Sequence, residues 1–414
     1  MSMDGVLDSM EKRMLIMHTH QGFARVLKRL LAALCVFMLL FVSAASGESD
    51  AFDEKVRSIF KKYKTSGGMV LAAKDGQIVY QRCYGWANKQ AKEQVTPETY
   101  FKLASVSKLV TAVSVMKLVE TGRLDLDEDI GHILGSPEFN AASAKYPKQP
   151  ITARMLMTHT AAINDGKGAF EKMTPLSEAL NPKKNRTGSG FLDKKPGTHY
   201  KYSNFGAGIL GCILEAVTEE RLTDAARELV FDDLGIDAAY DPHLLQDPDK
   251  IVSTYRANGS LHITRSYRLK QPYSDKINLD KDYDESYGGL WIRGEDLCKI
   301  GIMLCNMGEI NGTRILEEDT VREMLSSQQG KEGITADSPY ALNVERVTNL
   351  LPGKTLYGHQ GMNVGVLCNL YFDPESQFVF ALLTNGCNVN SKDDHICKLA
   401  RDMFKLMWNT YAGE

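Results

Sequence analysis

The 414-residue chain lacks the short signatures of several common enzyme classes. It has no Gly-x-Ser-x-Gly elbow, which removes a serine nucleophile on a strained strand-to-helix turn. No His-Glu-x-x-His and no paired Cys-x-x-Cys offers ligands for zinc. Neither sign of charge prevails: 49 basic and 52 acidic residues give a net charge of −3, and no basic patch points to nucleic acid as a partner. One dinucleotide-like string, Gly206-Ala207-Gly208-Ile209-Leu210-Gly211, has no strand before it and no βαβ unit around it. Small residues for close helix packing are expected there instead. No metal or nucleotide cofactor is expected.

Long apolar runs are also scarce. Leu30 to Val42 falls short of the ~18–20 residues of a good membrane span. It follows the basic stretch Arg25 to Arg29 and precedes the small residues Ser43, Ala44, Ala45 and Ser46, so residues 1–46 form an expected secretory signal peptide, with an N-terminal membrane anchor as the alternative. Either places the remainder outside the cytoplasm, secreted or membrane-anchored. Met10, Met14 and Met17 are alternative starts. Once Cys35 is set aside with that segment, seven cysteines remain, so at least one is unpaired; only Cys387 with Cys397 is close enough to consider as a disulfide.

What the chain does contain is three short motifs in one order: Ser105-Val106-Ser107-Lys108, Tyr202-Ser203-Asn204 and His359-Gln360-Gly361. A Ser and a Lys three apart at a helix start share one face, so the amine can reach the hydroxyl it must activate. Leu109, Val110, Val113, Met116 and Leu118 recur at helical spacing over Val106 to Thr121, with Gly122 as the residue beyond the end. That places Ser105 at a helix N-terminus, where free N–H groups favour developing negative charge. Context rejects the decoys: Ser58-Ile59-Phe60-Lys61 lies inside an amphipathic helix, His20-Gln21-Gly22 in the leader, and Arg186-Thr187-Gly188 ahead of the Tyr motif.

Two β-like runs, Met69–Ala73 and Ile78–Cys83, join around Asp75-Gly76, and a second pair, Gly365–Phe372 and Phe378–Thr384, joins through Asp373-Pro374. Strands from both ends imply one shared antiparallel sheet. Ile396, Leu399, Ala400, Met403, Phe404 and Met407 line one face of a final helix, and helical patterns dominate the middle. The expected fold class is α+β: an antiparallel sheet flanked by helices plus a mostly helical inserted domain. The expected domains are 47–104 with 286–414 for the sheet part and 105–285 for the helical part, with the site in the cleft between them.

The three motifs, together with Leu156-Met157-Thr158-His159-Thr160, Pro196-Gly197-Thr198-His199-Tyr200-Lys201 and Gly288-Gly289-Leu290, resemble the class C β-lactamase and D-Ala-D-Ala carboxypeptidase superfamily of penicillin-recognising serine enzymes. The resemblance spans nearly all of the chain after residue 50 and implies the β-lactamase/transpeptidase-like fold. It also implies roles. Ser105 is the nucleophile, and Lys108 and Tyr202 share its proton. Asn204 donates its amide to the substrate. The backbone N–H groups of Ser105 and Met362 form the oxyanion hole, where Gly361 permits close backbone approach, and His359 faces the substrate's carboxylate side. His159 is implied to be structural. A phenol titrates near ~10, so Tyr202 needs neighbouring cations to act as a base at neutrality.

Departures from the pattern narrow the expectation. His359-Gln360-Gly361 stands where class C β-lactamases have Lys-Thr-Gly, which points toward carboxypeptidases and D-amino-acid peptidases on peptidoglycan-like substrates. A β-lactamase, a carboxylesterase and a slowly deacylating penicillin-binding sensor are the alternatives. The partner is in each case a small molecule or peptide: a peptidoglycan-like peptide, a β-lactam or an ester. Ala161-Ala162 replaces the usual Ser-Gly after Thr160, which puts the backbone beside the cleft in question.

Overall fold

The computed structural model describes residues 51–412 apart from 136–138, 140, 144, 166–173, 182, 184–189, 273, 275 and 390–395. The leader and its signal or anchor therefore lie outside the described residues. No described helix is long and apolar enough to cross a membrane. Residues 51–62 are helical, as expected for the amphipathic segment around Ser58, and from residue 59 the chain forms one compact unit.

The central sheet takes strands from both ends of that unit. These are β1 (Gly67–Lys74), β2 (Gln77–Asn88), β3 (Glu93–Gln94), β4 (Glu345–Val347), β5 (Leu356–Asn363), β6 (Val366–Asp373) and β7 (Phe378–Thr384). Their order is β4-β5-β6-β7-β1-β2-β3, with every neighbouring pair antiparallel. β1 turns into β2 at Asp75 and Gly76, both with positive φ, the conformation a two-residue hairpin needs to match strand twist. β1, β6 and β7 are buried almost throughout, so both faces of the sheet must be covered.

Two helices cover them. α3 (Gly294–Cys305) packs where Gly294 would meet Met69 and Leu71 and Gly301 would meet Val379 and Leu370 if either carried a Cβ. α4 (Lys398–Tyr411) lays Phe404 against Phe378, Phe380 and Tyr371. Successive residues of a strand point to opposite faces, so Val379 and its neighbours Phe378 and Phe380 put α3 and α4 on opposite sides. The buried face of α4 carries Leu399, Ala400, Met403, Phe404 and Met407, as its sequence spacing predicts.

Between the sheet's two halves lie α1 (Ser107–Glu120) and α2 (Asn204–Thr218), with shorter helical turns. α1 is buried on almost every side, and Gly122 beyond its end takes φ +69. The glycines of α2 serve packing: Gly208 abuts the Tyr283 carbonyl and Gly211 the Ser286 side chain, with no room for a methyl group. A small three-stranded sheet of Tyr100–Lys102, Trp291–Arg293 and Ala238–Ala239 ties the segment leading into the Ser105 turn to two strands beyond α2.

Candidate active site

Ser105 sits in a 3₁₀ turn, Ala104–Val106, immediately before α1 and not within the α-helix itself. Ala104 holds φ +49, a left-handed conformation that costs a non-glycine residue about 1–2 kcal/mol. Leu290 clamps the turn from both sides: its carbonyl accepts from Leu103 N–H at 2.8 Å, and its N–H donates to Ser107 Oγ at 3.2 Å. The strain is thus held in place next to the hydroxyl.

Lys108 is fully buried beneath Ser105. Its Nζ lies 3.0 Å from Ser105 Oγ, 2.9 Å from Asn204 Oδ1 and 2.8 Å from the Tyr287 carbonyl oxygen. A neutral amine has two N–H donors and one lone pair. Two of these neighbours can only accept, so the lone pair is left facing the Ser105 hydroxyl. Burial pushes the Lys108 amine down to about 7, and the Asp165 charge opposes that fall. Asn204, with its Oδ1 engaged, keeps its amide N–H groups for another partner.

Tyr202 is hydrogen-bonded to Ser105, and its ring lies 5.1 Å from Lys108 Nζ. Burial drives its phenol above the ordinary value. The expectation that Lys108 would lower Tyr202 into a base is therefore corrected. The lysine is the group whose titration is moved toward neutrality, because its burial outweighs the opposing Asp165 charge.

His359 lines the same cavity as Ser105 and Tyr202. It is buried on β5, and burial followed by the Lys108 charge pushes its imidazole down to about 3. Its Nδ1 lies 2.7 Å from the Gln360 carbonyl oxygen, so Nδ1 carries the proton and Nε2 is a bare acceptor. A neutral ring cannot pair with a substrate carboxylate as a cation. Gly361 fits directly over the nucleophile turn: a Cβ there would fall on the Leu103 carbonyl oxygen and 2.9 Å from Ser105 N. Met362 follows, 45% exposed, and lines the same cavity.

His159 is buried 4.4 Å from the Tyr202 ring and 4.8 Å from the Tyr340 ring, and its Nδ1 accepts from Ser203 N–H at 3.3 Å. Burial, Lys108 and His359 keep it neutral. It supports the Tyr motif from behind. Ala162 adopts φ +55, so the alanine keeps the left-handed turn that a glycine would take without strain.

Sequence reasoning missed Asp165. Its carboxylate accepts from Ser203 Oγ and Asn204 N–H, both at 2.5 Å, and from Phe205 N–H at 3.2 Å, capping α2 at the motif itself. The same charge acts on Lys108. A single acid in a polar loop has no periodicity to reveal it; its one signal is its place at the head of the stretch Asp165–Lys195. Asp165→Asn is expected to move the acid limb of the pH–rate profile to lower pH and to reduce kcat about tenfold, in line with a lost charged hydrogen bond. An unmoved midpoint would show that this charge is screened from Lys108.

Ser105, Tyr202, Asn204, His359 and Met362 line one cavity of about 600 Å³, with Tyr200, Tyr340 and Glu345 on its walls. Among the described residues, no group of three or more His, Cys, Asp or Glu side chains could hold a metal ion. All seven described cysteines are free, Cys387 and Cys397 included.

The Beta-lactamase family model matches residues 52–398. This chain belongs to that family. Two relatives are Esterase EstB of Burkholderia gladioli, 29% identical over 48% of this chain and 52% of its own, and Protein flp of Staphylococcus aureus (strain N315), 27% identical over 41% and 34%. The matched region thus spans about half the esterase and a third of Protein flp. Among solved structures, the octameric penicillin-binding protein homologue from Pyrococcus abyssi superposes with a TM-score of 0.65 at 22% identity, over 87% of this chain and 77% of that one. EstCE1, a hydrolase with promiscuous acyltransferase activity, gives 0.65 at 20% identity over 87% and 99%. At these identities the structural likeness speaks to the fold. Family membership and these superpositions give the chain a β-lactamase fold.

Proposed function

We propose that the chain is an extracytoplasmic serine esterase working through an acyl-enzyme on Ser105. The Lys108 geometry supports the catalytic core of this reading. The Ser105 proton passes to the Lys108 lone pair as Oγ attacks the acyl carbon, and the Ser105 and Met362 N–H groups stabilise the oxyanion. The ester C–O bond then breaks, and the leaving alkoxide takes the proton back through the Tyr202 hydroxyl. Water repeats the sequence to release the acid. Asn204 orients the acyl group. The inserted residues 105–285 and the sheet part, 47–104 with 286–414, are the two walls of this cleft, and the leader, residues 1–46, supports the location.

One observation carries the choice of ester over carboxy-terminal peptide: His359, at the strand motif, is buried and neutral, so it cannot neutralise a substrate carboxylate. A D-Ala-D-Ala carboxypeptidase, the first expectation from the His359-Gln360-Gly361 motif, would have to hold its substrate carboxylate without a cationic His359. The esterase relative supports the same choice. A D-amino-acid peptidase is the second reading, favoured by the unengaged amide of Asn204. The test is turnover of p-nitrophenyl butyrate against release of D-alanine from a diacylated Lys-D-Ala-D-Ala peptide. Ester turnover without D-alanine release is expected; efficient D-alanine release would overturn the esterase reading.

A further inference from the structure

The cavity holds a carboxyl group that the acyl-transfer chemistry leaves unused. Glu345 opens the edge strand β4, opposite Gly358 and so beside His359, and lines the same cavity as Ser105. Among the described residues it forms no ion pair. Burial alone accounts for the rise of its carboxyl to about 7, with no neighbouring cation pulling it down. Its negative charge in turn raises Tyr200, Tyr202, Tyr340 and Tyr371. The other titratable groups near it cannot compensate: His359 is neutral, Lys108 is committed to three partners, and Lys201 at the cavity wall is exposed to solvent.

Tyrosine rings line the same cavity as this carboxyl. The Tyr200 and Tyr340 rings stack at 6.3 Å and 18°, and Tyr202 lies 5.7 Å from Tyr340. Ring faces carry negative potential and attract cations, most strongly organic ammonium groups that are poorly hydrated. A carboxylate beside such faces repels an anionic substrate and leaves an acceptor for a cation. We propose that Glu345 and the Tyr200–Tyr340 pair form a subsite for an ammonium or quaternary-ammonium group carried by the ester substrate. This rests on the esterase reading for its chemistry, but the binding site can be tested apart from it.

The test compares trimethylammonioethyl butyrate with its uncharged dimethylbutyl isostere, in which carbon replaces nitrogen. The measurement is made at about pH 8.5, where a carboxyl titrating at about 7 is ionised. The wild-type protein is expected to favour the cationic ester in kcat/KM by roughly ten- to hundredfold. Glu345→Gln should reduce that ratio to within about threefold of unity, since the amide keeps the shape and loses the charge. A wild-type ratio near one, or a ratio that Glu345→Gln leaves unchanged, would overturn the subsite. Should the variant not fold, calorimetry of tetramethylammonium with the wild-type protein decides: millimolar or tighter binding supports the subsite, and no binding overturns it. If neither ester is hydrolysed, the esterase reading fails, while tetramethylammonium binding still settles the subsite.

Discussion

Lys108→Met is expected to lower kcat/KM for an uncharged ester by about 10²–10⁴-fold, the range of a lost general base. Methionine fills a similar volume and removes the amine whose lone pair faces the Ser105 hydroxyl. The effect belongs in kcat, because the substrate does not touch a residue buried beneath the nucleophile. A pH signature accompanies it. The amine works only when unprotonated and titrates at about 7, so wild-type kcat/KM should climb roughly tenfold per unit below that value and level off above it. In Lys108→Met the residual activity should lose this limb. Retention of the same limb would assign the titration to another group, with Glu345 the first to examine.

The second large effect is steric. Gly361→Ala would place a methyl group on the Leu103 carbonyl oxygen, 2.9 Å from Ser105 N and 3.1 Å from Val106 N. All three are backbone atoms of the nucleophile turn, so no side chain can move aside. β5 must retreat from Ser105, carrying the Met362 N–H with it. A misplacement of ~1 Å in a catalytic constellation costs on the order of 10²-fold in rate, and overpacking of this kind about 1–3 kcal/mol in stability. Ester kinetics and thermal unfolding of the variant measure both. Unchanged values would mean that β5 does not bear on the Ser105 turn.

The sheet was legible because its signals are local. Asp75-Gly76 marks a hairpin, and Phe378–Thr384 is too short and too uniformly apolar for anything but a strand buried on both faces. The catalytic motifs were legible because Ser105 and Lys108 share one turn and the decoy Ser58 lies within the helix at 51–62. The electrostatics were not. Whether His359 is a cation depends on its complete burial and on Lys108, a residue 251 positions earlier in the chain, and no periodicity encodes that. Asp165 and Glu345 escaped for the same reason. Each is an isolated acid in a short or irregular segment, and each acquires meaning only when the fold brings α2 or the aromatic pair against it.

The central claim is that Ser105 carries the acyl group. Mixing the protein with p-nitrophenyl butyrate, quenching in acid within the first turnovers and mapping peptides by mass measures this directly. One butyryl group per chain is predicted, on the peptide that contains Ser105, and none in Ser105→Ala. A butyryl group on Ser58, or one that persists in Ser105→Ala, would contradict the account.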